Sequence, residues 1–155
     1  MREGRLEQIG TSLDIYRRPG STFVAGFIGA TNFLDGRFKR DGGGETGGVT
    51  ETKIGPILCT AGTEVRDGQM VKLAIRPENI NVTGVISGKS TNARRDVNVF
   101  EGNIESLEFQ GDSLVMRVRI CTELLQVKSG SSQKLEVGQN ISLSMHPEDC
   151  HAILP

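Results

Sequence analysis

Two short stretches gather residue types capable of chemistry. The first, SGKST at 87–91, has the Gly-Lys-Ser order with which phosphate-binding loops end. Such a loop needs a glycine five residues before Gly88, so that backbone N–H groups can wrap a phosphate. Thr83 stands there, and Gly84 is one residue too close. No long helical pattern follows to aim N-terminal N–H groups at an anion. The stretch reads as a solvated loop, which gives this chain no ATP site of that kind. The second, HPEDCH at 146–151, puts His146, Glu148, Asp149, Cys150 and His151 within six residues. Zinc accepts these ligand types, but no second His/Cys cluster exists to complete a closed site. Residues 76–81, RPENIN, repeat the shape without His or Cys. Both stretches therefore read as Pro-Glu turns that end strands, formed by Arg76, Pro77 and Glu78 and by His146, Pro147 and Glu148. With two histidines in the whole chain and no G-x-S-x-G elbow, no nucleophile–base pair is indicated either. Glu101, Glu105 and Glu108 fall on a strand pattern, where carboxylates face solvent.

The elements that must carry these turns are strands. The chain has 155 residues, 20 of them Gly, with no Trp and 5% aromatics. That composition suits short strands joined by turns rather than a helical bundle. Alternation of apolar and polar residues is strongest in VNVFEGNIESLEF and SLVMRVRIC; FLDGRFK, VTETKI, PILCTA and VKLAI extend it. DGGGETGG at 41–48 and SGKSTNARRD at 87–96 read as mobile loops. Ahead of the strands, two short helices are punctuated by caps: Thr11 with Asp14 three residues on, then Ser21 after Pro19. Arg17 and Arg18 end the first of them, where they suit the helix dipole. Helices this short need a surface to pack on.

Net charge is −1 and the pI about 6.1, with one Tyr. A nucleic-acid surface needs a longer basic stripe and stacking aromatics, so no nucleic-acid partner is expected. The longest apolar run, FVAGFIGA, has eight residues, too few to span a bilayer. Three widely spaced cysteines, Cys59, Cys121 and Cys150, favour a reduced, cytoplasmic setting over a disulfide framework.

The sequence also echoes itself. Shifted by 70, Gly68, Gln69, Leu73, Pro77 and Glu78 meet Gly138, Gln139, Leu143, Pro147 and Glu148. LDGRF at 34–38 likewise echoes FEGNI at 100–104. The pattern predicts two β half-units, about 33–82 and 97–155, each covering an apolar face that the other could not bury alone.

One stretch carries a resemblance. GRLEQIGTSLDIYRRPGSTFVAGFIGATNFLDG, residues 4–36, resembles the junction of ABC-transporter ATPase subunits of the carbohydrate, polyamine and iron importer class. In that class a G-x-[LI]-x-Q-x-G-[TS]-[PS] segment closes the nucleotide-binding domain, and a Y-x-x-P…F-V-A-x-F-[IL]-G segment packs back on it. Gly4, Leu6, Gln8, Gly10, Thr11, Tyr16, Pro19, Phe23, Val24, Ala25, Phe27, Ile28, Gly29 and Asn32 stand at the matching places, with Ser12 where Pro is usual. Arg76-Pro77-Glu78, Phe109 with Gly111, and the closing His-Pro-Glu-Asp extend the likeness. The spermidine/putrescine branch is the most similar, with the iron(III) and sugar or glycerol-phosphate branches behind it.

The resemblance implies a mainly β, OB-like TOBE barrel over 33–155. Residues 1–32 would then be the tail of a nucleotide-binding domain with connecting helices. The family's Walker A, LSGGQ and Walker B motifs and its switch histidine do not occur here, so the chain is expected to be a non-catalytic C-terminal part with no cofactor of its own. The longer subunit would use ATP and Mg. Its expected partners are that nucleotide-binding domain, a second copy of the subunit and membrane permease subunits, at the inner face of the membrane. Tyr16, Phe23, Val24, Phe27 and Ile28 are the expected interface with the nucleotide-binding domain. The alternative is a free-standing module that binds a small oxyanion such as molybdate. Its candidate contacts are Lys89, Ser90, Arg94 and Arg95, which read equally as solvated loop residues.

Overall fold

The computed structural model describes residues 2–42, 46–85 and 96–155. Helices α1 (Ser12–Arg17) and α2 (Thr22–Ile28) come first. Thr11 and Asp14 close a reciprocal capping box, and Ser21 Oγ accepts the N–H of Val24 at 3.3 Å. Strands follow as β1 (Asn32–Arg40), β2 (Gly47–Thr52), β3 (Gly55–Ala61), β4 (Met70–Ile75), β5 (Asn81–Val85), β6 (Asn98–Gln110), β7 (Ser113–Ile120), β8 (Glu123–Gly130), β9 (Asn140–Met145) and β10 (Cys150–Ile153). The protein is mainly β. β1, β2, β3, β10 and β4 close a barrel, while β5, β9, β6, β7 and β8 form an open sheet, giving an OB-like architecture behind the two helices.

The sheets do not coincide with consecutive stretches of chain. β4 leaves the barrel through a one-turn 3₁₀ helix, Pro77–Asn79, and the next strand, β5, pairs with β9 in the open sheet. β9 leaves that sheet through a second 3₁₀ turn, Pro147–Asp149, and β10 returns to pair with β4 and β3 in the barrel. Each sheet thus includes a strand donated by the other segment: β10 lies between β3 and β4 in the barrel, and β5 forms an edge of the open sheet. Pro fixes φ at the first position of each turn, where its missing N–H costs nothing. One continuous apolar core results: Leu34, Phe38, Ile57 and Leu73 from the barrel meet Ile104, Met116, Leu125 and Leu143 from the open sheet.

The sequence echo has a geometric counterpart. Gly68 and Gly138 take left-handed φ of +78° and +90°, where a side chain would be strained. Gln69 Oε1 accepts Arg66 N–H, and Gln139 Oε1 accepts Glu136 N–H, both at 3.0 Å. Gly36 and Gly102 lie where strands touch too closely for a Cβ, which would come within 2.4 Å of Thr50 Cγ2 and 2.5 Å of Val118 Cγ1 respectively.

β8 departs from expectation, because the sequence pattern left 123–130 unassigned. Its turn is Cys121-Thr122, without the Gly, Asn or Asp that marks most two-residue hairpins, and Cys121 adopts φ +51° all the same. β5 was also passed over. It has five residues, most of them exposed, and therefore no apolar alternation to read.

Candidate functional site

The first Pro-Glu turn carries a densely bonded polar group. Arg76, 6% exposed, lies under the segment that joins α2 to β1. The two N–H donors of its Nη1 are shared among the carbonyl oxygens of Ala25 at 2.9 Å, Gly29 at 3.0 Å and Ala30 at 3.3 Å, with Thr31 Oγ1 also within reach. The Ala25 carbonyl is one that α2 leaves unpaired at its C-terminal end, and Gly29 and Ala30 are the residues that directly follow the helix. A cation is also the charge that a helix C-terminus favours. The guanidinium carbon sits 4.6 Å from the centroid of the Tyr16 ring, and the Tyr16 hydroxyl donates to Glu78 Oε1. α1, α2 and the turn are therefore joined through one side chain. Burial lowers the Arg76 pKa from its ordinary value, the mark of a desolvation cost that the carbonyls offset. Nη2 of the same group is buried without an acceptor.

The helical segment is held at a second point by Gln8. Its Nε2 donates to Arg18 C=O at 2.9 Å, and its Oε1 accepts Gly20 N–H at 2.8 Å. Ala25 is fully buried against Ala74, Ile153 and Phe33. The five residues expected to meet another domain fare differently. Tyr16 stacks on Arg76, and Val24 is 7% exposed. Phe23 is half-buried, stacked on Phe27 with centroids 5.9 Å apart, and Arg2 lies over its ring. Phe27 is 80% exposed and Ile28 faces out too. Leu6, Ile9 and Leu13 add further exposed apolar surface on the same segment.

The second Pro-Glu turn lacks such cover. His146 and Glu148 are exposed and Pro147 half-buried. The HPEDCH residues diverge, because the strand that begins at Cys150 sends neighbours to opposite faces. The Cys150 thiol points into the core, where Asn98 Nδ2 lies 3.8 Å from its sulfur. His151 Nδ1 instead meets Thr60 Oγ1 at 3.1 Å. Among the described residues no group of three His, Cys, Asp or Glu side chains could hold a metal ion. Burial pushes the Cys59 thiol up to about 11 and raises Cys150 as well, so both behave as small protonated hydrophobes.

Lys89, Ser90, Arg94 and Arg95 lie outside the described residues. Two further residues matter to the fold, of which Asn32 stands among the positions of the family resemblance and Asn98 carried no signal of its own. Asn32 and Asn98, the first residues of β1 and β6, each present a side-chain amide to the backbone of a strand in the other sheet. Asn32 Nδ2 donates to Gln126 C=O and its Oδ1 accepts Gln126 N–H, both at 2.8 Å. Asn98 Nδ2 donates to Leu58 C=O at 2.8 Å and its Oδ1 accepts Leu58 N–H at 2.7 Å.

His151 gives a pH dependence. Burial lowers its pKa below the ordinary 6.5, so the unfolded chain binds the proton more tightly than the folded one. Its contribution to stability is complete above pH 6.5 and is lost as pH falls from there through the folded pKa, with a slope of at most about 1.4 kcal/mol per pH unit. Half-buried Asp149 has a raised pKa, through desolvation, and acts in the opposite sense at lower pH. The difference in melting temperature between the parent and His151→Asn, followed from pH 8 to 5, isolates the histidine. The parent should lose its advantage below pH 6.5.

Family comparison identifies the β region. The TOBE domain family matches residues 73–153, which runs from β4 through both Pro-Glu turns to the end of β10. This chain belongs to the TOBE domain family. A relative by sequence is the spermidine/putrescine import ATP-binding protein PotA of Protochlamydia amoebophila (strain UWE25), 33% identical over 135 residues. The match takes in 87% of this chain but 35% of that protein, so the TOBE chain spans about a third of its relative's length. Among solved structures, the cytoplasmic molybdate-binding protein ModG in its molybdate-bound form superposes with a TM-score of 0.65 at 13% identity. That superposition covers 80% of this chain and 96% of ModG, and it shows a shared fold. No helix among the described residues is long and apolar enough to cross a membrane.

Proposed function

We propose that this chain is the non-catalytic regulatory part of the ATP-binding subunit of an ABC importer of the polyamine type. The observation that carries the reading is the 33% identity to PotA over 135 residues, which reaches well beyond the family match. In this reading the longer subunit binds ATP and Mg and couples hydrolysis to import through membrane permease subunits. The α1–α2 segment packs on the nucleotide-binding domain, and a second copy of the subunit completes the assembly at the inner face of the membrane. Exposed Leu6, Ile9, Leu13, Phe27 and Ile28 support an apolar contact there, since scattered single apolar residues are ordinary but a run of them on one segment is not. The Arg76 joint then gives the TOBE region a defined mechanical link to the domain that hydrolyses ATP.

The test is the size and location of the native protein, read by immunoblot of fractionated source cells. A band far larger than 16.8 kDa that sediments with membranes is the expected result. A soluble band at 16.8 kDa would overturn the proposal and favour a free-standing ligand-binding module.

A further inference from the structure

β8 is an edge of the open sheet, with β7 as its neighbour on one side only. Gln126 N–H and C=O point away from β7, because the Asn32 amide accepts from the one and donates to the other at 2.8 Å. Backbone groups of alternate residues face the same edge of a strand, so those of Lys128 and Gly130 point outward as well. The β7–β8 register runs unbroken from Ser113↔Gly130 to Ile120↔Glu123, which keeps that phase. Among the described residues no backbone group pairs with these outward donors and acceptors. A groove of about 580 Å³ lies along this edge, with Lys128, Ser129 and Gly130 on one side and Ala30, Pro77 and Glu78 on the other. A Cβ built on Gly130 meets nothing within 4 Å, so the space there is open. Asn32 thus fills one rung of the edge with a side-chain amide, the equivalent of a peptide group, and leaves the next two rungs free. Exposed Lys128 makes no ion pair, and neither does exposed Arg117 on the same face of the sheet. Glu78 across the groove does not pair with Lys128; its Oε1 receives the Tyr16 hydroxyl.

We propose that this edge docks an extended segment of a partner protein, added to β8 as a further strand, with an acidic side chain on the residue that pairs with Lys128. The main chain of the segment fills the rungs at Lys128 and Gly130 and so continues the ladder that Asn32 begins. Its acidic side chain stands beside Lys128 and Arg117 on the outer face, where opposite charges on neighbouring strands attract. Glu78 lies on the far wall, and its other carboxylate oxygen can accept an N–H from the far edge of the added strand. A second copy of this chain fits less well: edge-to-edge pairing centred on Lys128 sets two lysines opposite each other, which is destabilising. The proposal does not rest on the importer reading.

The experiment is an NMR titration of the isotope-labelled chain with the blocked peptide acetyl-Thr-Val-Glu-Val-Thr-amide. Two further peptides are compared, one with Lys at the centre and one N-methylated at the central Glu. Two variants accompany the parent. Lys128→Pro deletes the outward N–H but leaves the bonds to β7 intact, as an edge strand tolerates. Lys128→Glu reverses the charge. Matching circular-dichroism melts verify that the variants fold, and the N-methylated peptide makes the same test on the parent alone. Saturable binding of the Glu peptide is expected, with amide shifts centred on 126–130 and Glu78. It should weaken by about tenfold or more in Lys128→Pro and with the N-methylated peptide. Lys128→Glu should turn the preference from the Glu to the Lys peptide, by about fivefold. Absence of saturation into the millimolar range overturns the proposal, as do shifts centred elsewhere or equal binding of the N-methylated peptide. A peptide preference that Lys128→Glu leaves unchanged overturns it too. Sedimentation of the free chain as a dimer that Lys128→Pro dissociates would assign the edge to a second copy instead, and would equally overturn it.

Discussion

Arg76→Met is expected to detach α1 and α2 from the β structure while the sheets stay folded. Methionine keeps much of the stem's apolar contact but supplies none of the donors now shared by Ala25, Gly29, Ala30 and Thr31. It also removes the cation beneath the Tyr16 ring. Hydrogen bonds to a charged donor are worth more than neutral ones, and the carbonyls left behind are partly buried, so the cost should be about 3 kcal/mol. Helices of six and seven residues have no stability of their own to set against that loss. Hydrogen exchange reads the outcome directly. Amides in 12–31 should exchange far faster in the variant, while those of β6 and β7 should keep their protection. Arg76→Lys separates charge from geometry: an ammonium can reach one or two of the acceptors but cannot span them, so partial protection is expected. Unchanged exchange in Arg76→Met would mean that Gln8 and buried Ala25 hold the segment without the arginine.

The sequence made the turns legible but not their use. Pro77 and Pro147 punctuate strands in a way that any reading of φ constraints recovers, and the capped helices follow from Thr11, Asp14 and Ser21 by the same local logic. Arg76 offered no such signal. By the 70-residue echo its counterpart is His146, so the pattern ranked the two as equal turn residues. They differ because the helical segment covers only the first turn, which buries Arg76 and leaves His146 exposed. That is a tertiary fact with no local trace. The expected interface of Tyr16, Phe23, Val24, Phe27 and Ile28 is likewise divided by the fold. Ala25 packs on Ala74 of β4 and Ile153 of β10 and Val24 is buried too, while Phe27 and Ile28 turn outward. Strand exchange was hidden for a different reason. Alternation tells which face of a strand is buried but not which sheet receives it, and β5 carries little alternation at all.

The two asparagines were closer to the surface of the pattern than Arg76. The 66-residue offset that lays LDGRF on FEGNI also lays Asn32 on Asn98, and the structure shows why both positions matter. Asn98→Ala should be among the most damaging single substitutions in the chain. It removes two short hydrogen bonds, at 2.7 and 2.8 Å, and leaves both the N–H and the C=O of half-buried Leu58 without those partners. Each orphaned group costs about 1–2 kcal/mol, for a total of roughly 2–4 kcal/mol. In a domain of this size that corresponds to a melting temperature lower by roughly 4–16 °C. Asn32→Ala should cost a similar amount, because it removes the equivalent pair from Gln126 at the other joint. Since one apolar core joins the barrel to the open sheet, either substitution should lower a single cooperative transition rather than split it in two. Two resolved transitions in a calorimetric scan would show instead that the sheets unfold independently. Conservative replacements sharpen the test. Asparagine presents a donor and an acceptor at the spacing of a peptide group, so it stands in for one residue of an adjoining strand. Aspartate keeps the acceptor geometry but offers Leu58 C=O no hydrogen when ionised, and it buries a charge. Asn98→Asp should therefore be at least as destabilising as Asn98→Ala at pH 7, and should recover as the carboxyl is protonated in acid.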